Sequence, residues 1–258
     1  MKAKVSAVVV TGKKVDTGRA ERLAKEFDVP LVNDLPQSDA EGYFHLTKDG
    51  LTYHLSGSTL KGDFNNMLDR ISKEHIQHEI LLKTANMPEI AKKKLENGKN
   101  EVIRVIDCTA GLGEDSLVLA AGGAYVDMCE HNPVTYEILY DTLLRAKKEA
   151  GLREIVARMS LHYADSKEYL SGLDYRPDII YLDPMYPEKK KSAESKKKLQ
   201  GLHKIEAPCS DEEELINAAL MAKPGKIIIK RPPDGPLFGG RKPNYSVTRK
   251  AVRYDVII

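Results

Sequence analysis

Apolar and polar positions change rhythm near residue 100. Before it, the run VSAVVV at residues 5–10 predicts a strand. Residues 18–28 predict a helix, with Leu23 and Phe27 one turn apart. The short pieces PLVND, EGYFHLT and LTYHLSG follow, and Lys48-Asp49-Gly50 between the last two predicts a hairpin. Residues 1–62 therefore read as a small α/β appendage. His45 and His54 lie on its strands, where a histidine is ordinarily solvated or hydrogen-bonded. Residues 64–97 predict helix, broken at Pro88 and closed by Gly98. From Glu101 onward, VIRVID, AYVDMCE, ARMSLHY, DIIYLD and KIIIK read as strands. DSLVLAAGG, PVTYEILYDTLLRAKKEAG, DSKEYLSG and DEEELINAALMAK read as the helices between them. Such alternation predicts right-handed crossovers and a mainly parallel, doubly wound α/β sheet over residues 63–258. Ligands bind such sheets at the carboxyl ends of the strands.

Composition narrows this picture little. The 258 residues, 41% hydrophobic and 30% charged, suit a soluble globular chain. No apolar run approaches the roughly 18–20 residues a membrane span needs. The opening residues read as a strand, not a leader. Cys108, Cys129 and Cys209 lack paired spacing, which points to a reducing, cytoplasmic setting and no disulfide framework. No metal-ligand cluster is visible. A net charge of +2 does not announce a nucleic-acid binder, but the lysines are locally concentrated.

Two strand ends carry candidate chemistry. In VIRVIDCTAGLGEDSLVLAA a strand runs into Asp107, then Gly111-Leu-Gly113, then a helix. The glycines permit a tight turn and close approach of a ligand, and the helix start favours an anionic group. Glu130 ends the next strand, where an acid suits both hydroxyls of a ribose. A dinucleotide fingerprint wants a third glycine at position 116, and this chain has Ser116. A carboxylate at Asp107 opposes a pyrophosphate but suits the amino group and sulfonium of S-adenosylmethionine. That cofactor is the favoured reading, with a dinucleotide or a purely structural turn as alternatives. Asp165 and Ser166, after the third strand, are placed to meet an adenine, and Asp165 also suits a helix N-cap. Asp115 suits either ligand contact or a salt bridge.

The second strand end is DIIYLDPMYPEKKKSAESKKK. Asp183 can hold an exocyclic amine by hydrogen bond, with the Pro184 carbonyl as second acceptor and Tyr186 stacking on a planar base. The alternative is that Asp183-Pro184 merely terminates a strand and Tyr186 fills a gap in the core. Lys189, Lys190, Lys191, Lys196 and Lys197 flank it and suit RNA phosphates. Arg231, in KRPP after the fifth strand, suits a phosphate or an acid partner.

IDCTAGLGEDSLVLA, CEHNPV, YLDPMYPEKKKSA and IIIKRPP, in this order, resemble the ribosomal RNA small subunit methyltransferase J family. The resemblance runs from about residue 76 to the C-terminus and is most specific in DPMYPxKKKSA. It implies a Rossmann-like class I methyltransferase fold and methyl transfer from S-adenosylmethionine to the exocyclic N2 of a guanine in small-subunit rRNA. The implied partner is that rRNA or the small ribosomal subunit. Glu114, Asp115, Glu130, His131, Asp165, Ser166 and Asp183 match the family's cofactor positions. The chain departs from the family pattern at Glu114 and His131, where arginine is usual, and before the first motif, in ISKEHIQHEILLKTA. Two rivals stand beside this reading: a methyltransferase for another amine, and a non-catalytic RNA-binding or ribosome-assembly factor with the same fold.

Overall fold

The computed structural model describes residues 5–98, 102–185 and 211–258. Among these, the chain divides into two compact units. The first takes in the residues up to Asp63 together with Asn132–Arg145, and the second takes in Phe64–His131, Ala146–Pro184 and residues 211–258. The first unit thus includes Asn132–Arg145 besides the N-terminal residues assigned to the appendage from sequence.

In the first unit, β1 (Val8–Val10), β2 (Leu31–Val32), β3 (Tyr43–Thr47), β4 (Gly50–Leu55) and β5 (Ser58–Leu60) form one sheet in the order β2-β1-β3-β4-β5. The predicted hairpin is present: Thr47 pairs with Gly50 across Lys48-Asp49, and Gly50 sits at φ 110°, which glycine adopts without strain. α1 (Thr17–Phe27) starts on Asp16, whose carboxylate accepts from the Arg19 N–H. Its Ala20 and Leu23 are buried. The helix Pro133–Ala146 brings buried Glu137 and Asp141 to this unit, where they pair with Arg22 and Arg19. His45 bonds Thr11, and His54 bonds Thr52 and Thr59, so both histidines are hydrogen-bonded.

In the second unit the residues 64–79 do not form the predicted α-helix. They make two short 3-10 turns at Phe64–Met67 and Ile76–His78. Asp69 and Ser72 explain this, because their groups bond His75 locally and compete with helix continuation. α2 (Ile80–Ala85) and α3 (Met87–Glu96) follow. They are separated by Asn86 in the left-handed region at φ 49°, and Pro88 sits in the first turn of α3.

The parallel strands are β6 (Arg104–Asp107), β7 (Tyr125–Glu130), β8 (Met159–Tyr163), β9 (Ile179–Leu182) and β10 (Lys226–Arg231). β11 (Tyr245–Thr248) and β12 (Arg253–Ile257) add an antiparallel edge that the sequence pattern did not predict. The order among the described strands is β11-β12-β10-β9-β6-β7-β8. α4 (Glu114–Ala121), α5 (Pro133–Ala146), α6 (Arg153–Val156), α7 (Ser166–Ser171) and α8 (Glu212–Met221) are the intervening helices. β9 is buried at every position, as expected of a strand covered on both faces. Ile106, Ile180, Leu182, Leu215, Ile216, Ile227, Ile229 and Phe238 form a continuous core, in which Cys108 and Cys129 are free buried thiols. Strand order reverses between β6 and β9. In sheets of this kind a ligand binds in the crevice beside such a switch point, at the carboxyl ends of the strands, and here those ends carry Asp107 and Asp183.

Candidate active site

β6 delivers Asp107 into the interior at the foot of the glycine turn. Its Oδ1 accepts the Thr109 N–H at 3.0 Å, and its Oδ2 accepts the Ser116 hydroxyl at 2.6 Å. Ser116, at the position where a dinucleotide fingerprint wants glycine, thus anchors the first acid. Burial pushes the Asp107 carboxyl up to about 7, against the pull of the Ser116 and Thr109 hydrogen bonds. Gly111 and Gly113 take the left-handed region at φ 53° and 74°, where a side chain is strained. Gly113 stands directly before α4. Glu130, at the end of β7, is nearly buried and its Oε2 accepts the Gly111 N–H at 3.0 Å, which ties the turn to the neighbouring strand. The next residue, His131, keeps 81% of its side chain exposed, 3.9 Å from Glu130 Oε1. Glu114 and Asp115 lie in the first turn of α4, where the helix dipole favours carboxylates.

Asp165 caps α7, accepting the Lys167 N–H at 2.8 Å, with Ser166 as the first helical residue. The cap is therefore the observed role of Asp165, and it leaves a ligand contact compatible.

On the other side of the switch point, Asp183 follows β9. Its N–H donates to Thr109 Oγ1 at 2.6 Å, which joins the ends of β6 and β9. Its carboxylate keeps 37% of its side-chain surface exposed, and Oδ2 accepts from Lys230 Nζ at 2.7 Å. The same ammonium reaches Asp115 Oδ2 at 2.7 Å, and that oxygen also accepts the Tyr181 hydroxyl at 2.6 Å. Arg70, held in a two-pronged pair by Glu79, lies 3.8 Å from Asp115 Oδ1. Burial alone would raise Asp115, but Lys230 and the Tyr181 hydroxyl bring it below the usual carboxylate range. Asp183 is raised, first by burial and then by the like charge of Asp115, with Lys230 opposing. Pro184 is buried directly after it.

Arg231 corrects the expectation of phosphate contact. Its side chain has no exposed surface. Nη1 pairs with Glu212 Oε1 at 3.2 Å, Nε and Nη2 donate to the Pro236 carbonyl at 3.1 and 2.9 Å, and the group lies over the Phe238 ring. A guanidinium so enclosed is out of reach of an RNA phosphate, and the acid partner is the alternative realised. Tyr186, Lys189, Lys190, Lys191, Lys196 and Lys197 lie outside the described residues.

Sequence reasoning missed the side chains that tie the site together: Ser116, Thr109, Tyr181 and, above all, Lys230. A signal for Lys230 existed. Ile229 pairs with Leu182 in the parallel register of β10 and β9, so Lys230 stands beside Asp183. Only the alignment of IIIK with IYLD carries that information, and nothing local specifies the alignment. Among the described residues, no three His, Cys, Asp or Glu side chains gather as metal ligands, and no helix is long and apolar enough to cross a membrane.

The crevice suits S-adenosylmethionine on the chemistry of its donor set. Asp107, Glu130 and Asp183 place three carboxyl groups around a turn that carries two left-handed glycines. An acidic crevice matches a cation carrying a diol and an amino group better than it matches a pyrophosphate.

Comparisons with known proteins agree. A family model described as "Putative SAM-dependent methyltransferase" (SAM, S-adenosylmethionine) matches residues 38–258. The chain is 34% identical to the ribosomal RNA small subunit methyltransferase J of Chromobacterium violaceum, over 95% of this chain and 93% of that one. It is 32% identical to the protein of the same name from Cellvibrio japonicus, over 92% and 91%. Among solved structures, a SAM-dependent methyltransferase from Neisseria gonorrhoeae matches with a TM-score of 0.73 and 26% identity, over 97% of this chain and 95% of that one.

Proposed function

The chain belongs to the ribosomal RNA small subunit methyltransferase J family of SAM-dependent methyltransferases, and on that footing we propose that it methylates the exocyclic N2 amine of a guanine in small-subunit rRNA. The observation that carries the site assignment is the partly exposed carboxylate of Asp183, set across the switch point from the buried Asp107 and its glycine turn. S-adenosylmethionine, when bound, supplies an electrophilic methyl group on a sulfonium. Asp107, Gly111, Gly113, Glu114, Asp115, Glu130, His131, Asp165 and Ser166 form its pocket, Glu130 serving the ribose and Asp165 with Ser166 the adenine.

The amine needs help because its lone pair is delocalised into the guanine ring. Asp183 accepts an N–H from that amine, with the Pro184 carbonyl as second acceptor. Together they hold it in line with the methyl group and favour its pyramidal form. Catalysis is positioning and electrostatics. Tyr186 stacks on the base, and the lysines after it meet phosphates. Two described cations support RNA on the same rim. Arg231, the last residue of β10, pairs opposite Arg253, the first of β12. The turn before Arg253 therefore stands at the end of the sheet where Asp183 stands, and it exposes Arg249 and Lys250. The reading places the enzyme in the cytoplasm, acting on rRNA or the small ribosomal subunit.

The test is incubation with labelled S-adenosylmethionine and small subunits from a strain lacking the gene, followed by nucleoside mass spectrometry. Label in N2-methylguanosine is expected, and Asp183→Ala should abolish it while the protein stays folded. Label in another nucleoside overturns the guanine assignment. Cofactor binding without label in rRNA points to a different amine. Neither binding nor label supports a non-catalytic RNA-binding factor.

A further inference from the structure

We infer that Lys230 is a positioning residue for methyl transfer: it occupies one oxygen of Asp183, presents the other to the substrate amine, and is itself held by Asp115. This inference rests on the proposed function above. The geometry is that of a bridge between elements. Lys230 Nζ lies 2.7 Å from Asp183 Oδ2 after β9 and 2.7 Å from Asp115 Oδ2 on α4. The bridge crosses the crevice in which the proposed amine sits. A purely structural ion pair would neutralise one acid and be satisfied. Here one ammonium serves two carboxylates, of which Asp115 is nearly enclosed at 12% exposure and Asp183 faces the crevice at 37%. Asp115 is fixed from two further sides, by the Tyr181 hydroxyl and by Arg70, which Glu79 holds in turn. Lys230 is thus clamped from behind, and through it Oδ2 of Asp183 is immobilised. Among the described residues Oδ1 of Asp183 meets no partner, so it is the oxygen left for an N–H.

Charge follows the same logic. Without Lys230, the Asp183 carboxylate would face the like charge of Asp115 with no counter-charge beside it, and its affinity for a proton would rise. A protonated carboxyl is a weaker acceptor for the amine N–H and cannot take up the proton that the reaction releases. The groups facing Lys230 and Asp183 are Asp115 on α4, Asp107 on β6, Tyr181 on β9, Tyr254 on β12, and Arg70. Asp115 and Asp183 hold Lys230 above its ordinary range against the effect of burial, so it stays an ammonium and is not the base. In the step itself, the amine lone pair forms the N–C bond while the S–C bond breaks with its electrons going to sulfur. The surplus amine proton passes to Asp183 Oδ1 and from there to solvent.

The test compares wild-type protein with Lys230→Met and Lys230→Arg. For Lys230→Met we expect kcat on small subunits to fall about 10²-fold with KM for S-adenosylmethionine nearly constant. The acid limb of the kcat profile should move up by about one pH unit. Lys230→Arg should restore the limb and part of kcat. Independently of any substrate, carboxyl 13C NMR should show the Asp183 titration midpoint rising by about one unit in Lys230→Met. An unmoved midpoint, or an unchanged kcat and limb in the folded variant, overturns the inference. Should Lys230→Met not fold, Lys230→Gln gives the same comparison. If wild-type protein leaves rRNA unlabelled, the rRNA reading fails while the NMR midpoint still decides Lys230.

Discussion

Replacing Asp107 with Asn should stabilise the protein at alkaline pH far more than at acidic pH. Asp107 is almost fully enclosed, and burial raises its carboxyl from 3.8 to about 7. In the window between those values the folded protein binds a proton that the unfolded chain has released. Stability from this group therefore falls as pH rises through the window and levels off above about 7. At about 1.36 kcal/mol per unit, the three-unit shift costs the folded state roughly 4 kcal/mol at alkaline pH. Asn carries no charge and removes that cost. It can also keep the local hydrogen bonds: its Oδ1 accepts the Thr109 N–H, and its Nδ2 donates to Ser116 Oγ once the hydroxyl rotates. Any loss there is about 1 kcal/mol and is the same at every pH. The assay is urea denaturation followed by circular dichroism. The stability difference between Asp107→Asn and wild type should grow by roughly 3 kcal/mol between about pH 5 and about pH 8.5. An equal difference at both pH values would refute the reasoning, because it would mean that Asp107 carries the same charge in the folded and unfolded states across the window.

Other outcomes follow from single side chains. Arg231→Ala should lower stability by about 2–3 kcal/mol, since it removes the enclosed guanidinium that bonds Glu212 and the Pro236 carbonyl, yet leave the salt dependence of RNA binding unchanged. Gly225→Ala should cost about 1–3 kcal/mol in the same denaturation assay, because a Cβ there would stand 2.6 Å from the Asp178 carbonyl oxygen, which is backbone and cannot swing away. Replacing Arg249 and Lys250 together with Ala should reduce the slope of log affinity against log salt by about 0.7–0.9 for each phosphate that is no longer neutralised, and an unchanged slope would show that this turn does not meet RNA. The same measurement on Ala variants of Lys189, Lys190 and Lys191 tests the lysine segment.

Much of the architecture was readable from local pattern. The apolar runs ending in Asp107, Glu130 and Asp183, with helices between them, sufficed to predict a parallel sheet and a site at its carboxyl ends. Gly111 and Gly113 marked the turn because their conformation is demanded within a few residues. Where the pattern misled, the cause was also local: the spacing of Phe64, Met67 and Ile71 looks helical, but Asp69 and Ser72 divert the backbone into turns. The edge strand β11 went unpredicted because it exposes most of its residues and has no apolar alternation to read.

The wiring of the site was of a different kind. Whether Arg231 met a phosphate or an acid, whether Ser116 was merely a missing glycine, and what Lys230 did were all open from residue type and spacing. The strand order and register decided them. Placing β9 between β6 and β10 sets Lys230 beside Asp183, and Thr109 then bonds across from β6. Sequence determined which charges the chain carries and at which strand ends. Only the tertiary structure decided which of them meet, because an ion pair depends on distance between elements far apart in the chain, and backbone pairing with core packing sets that distance.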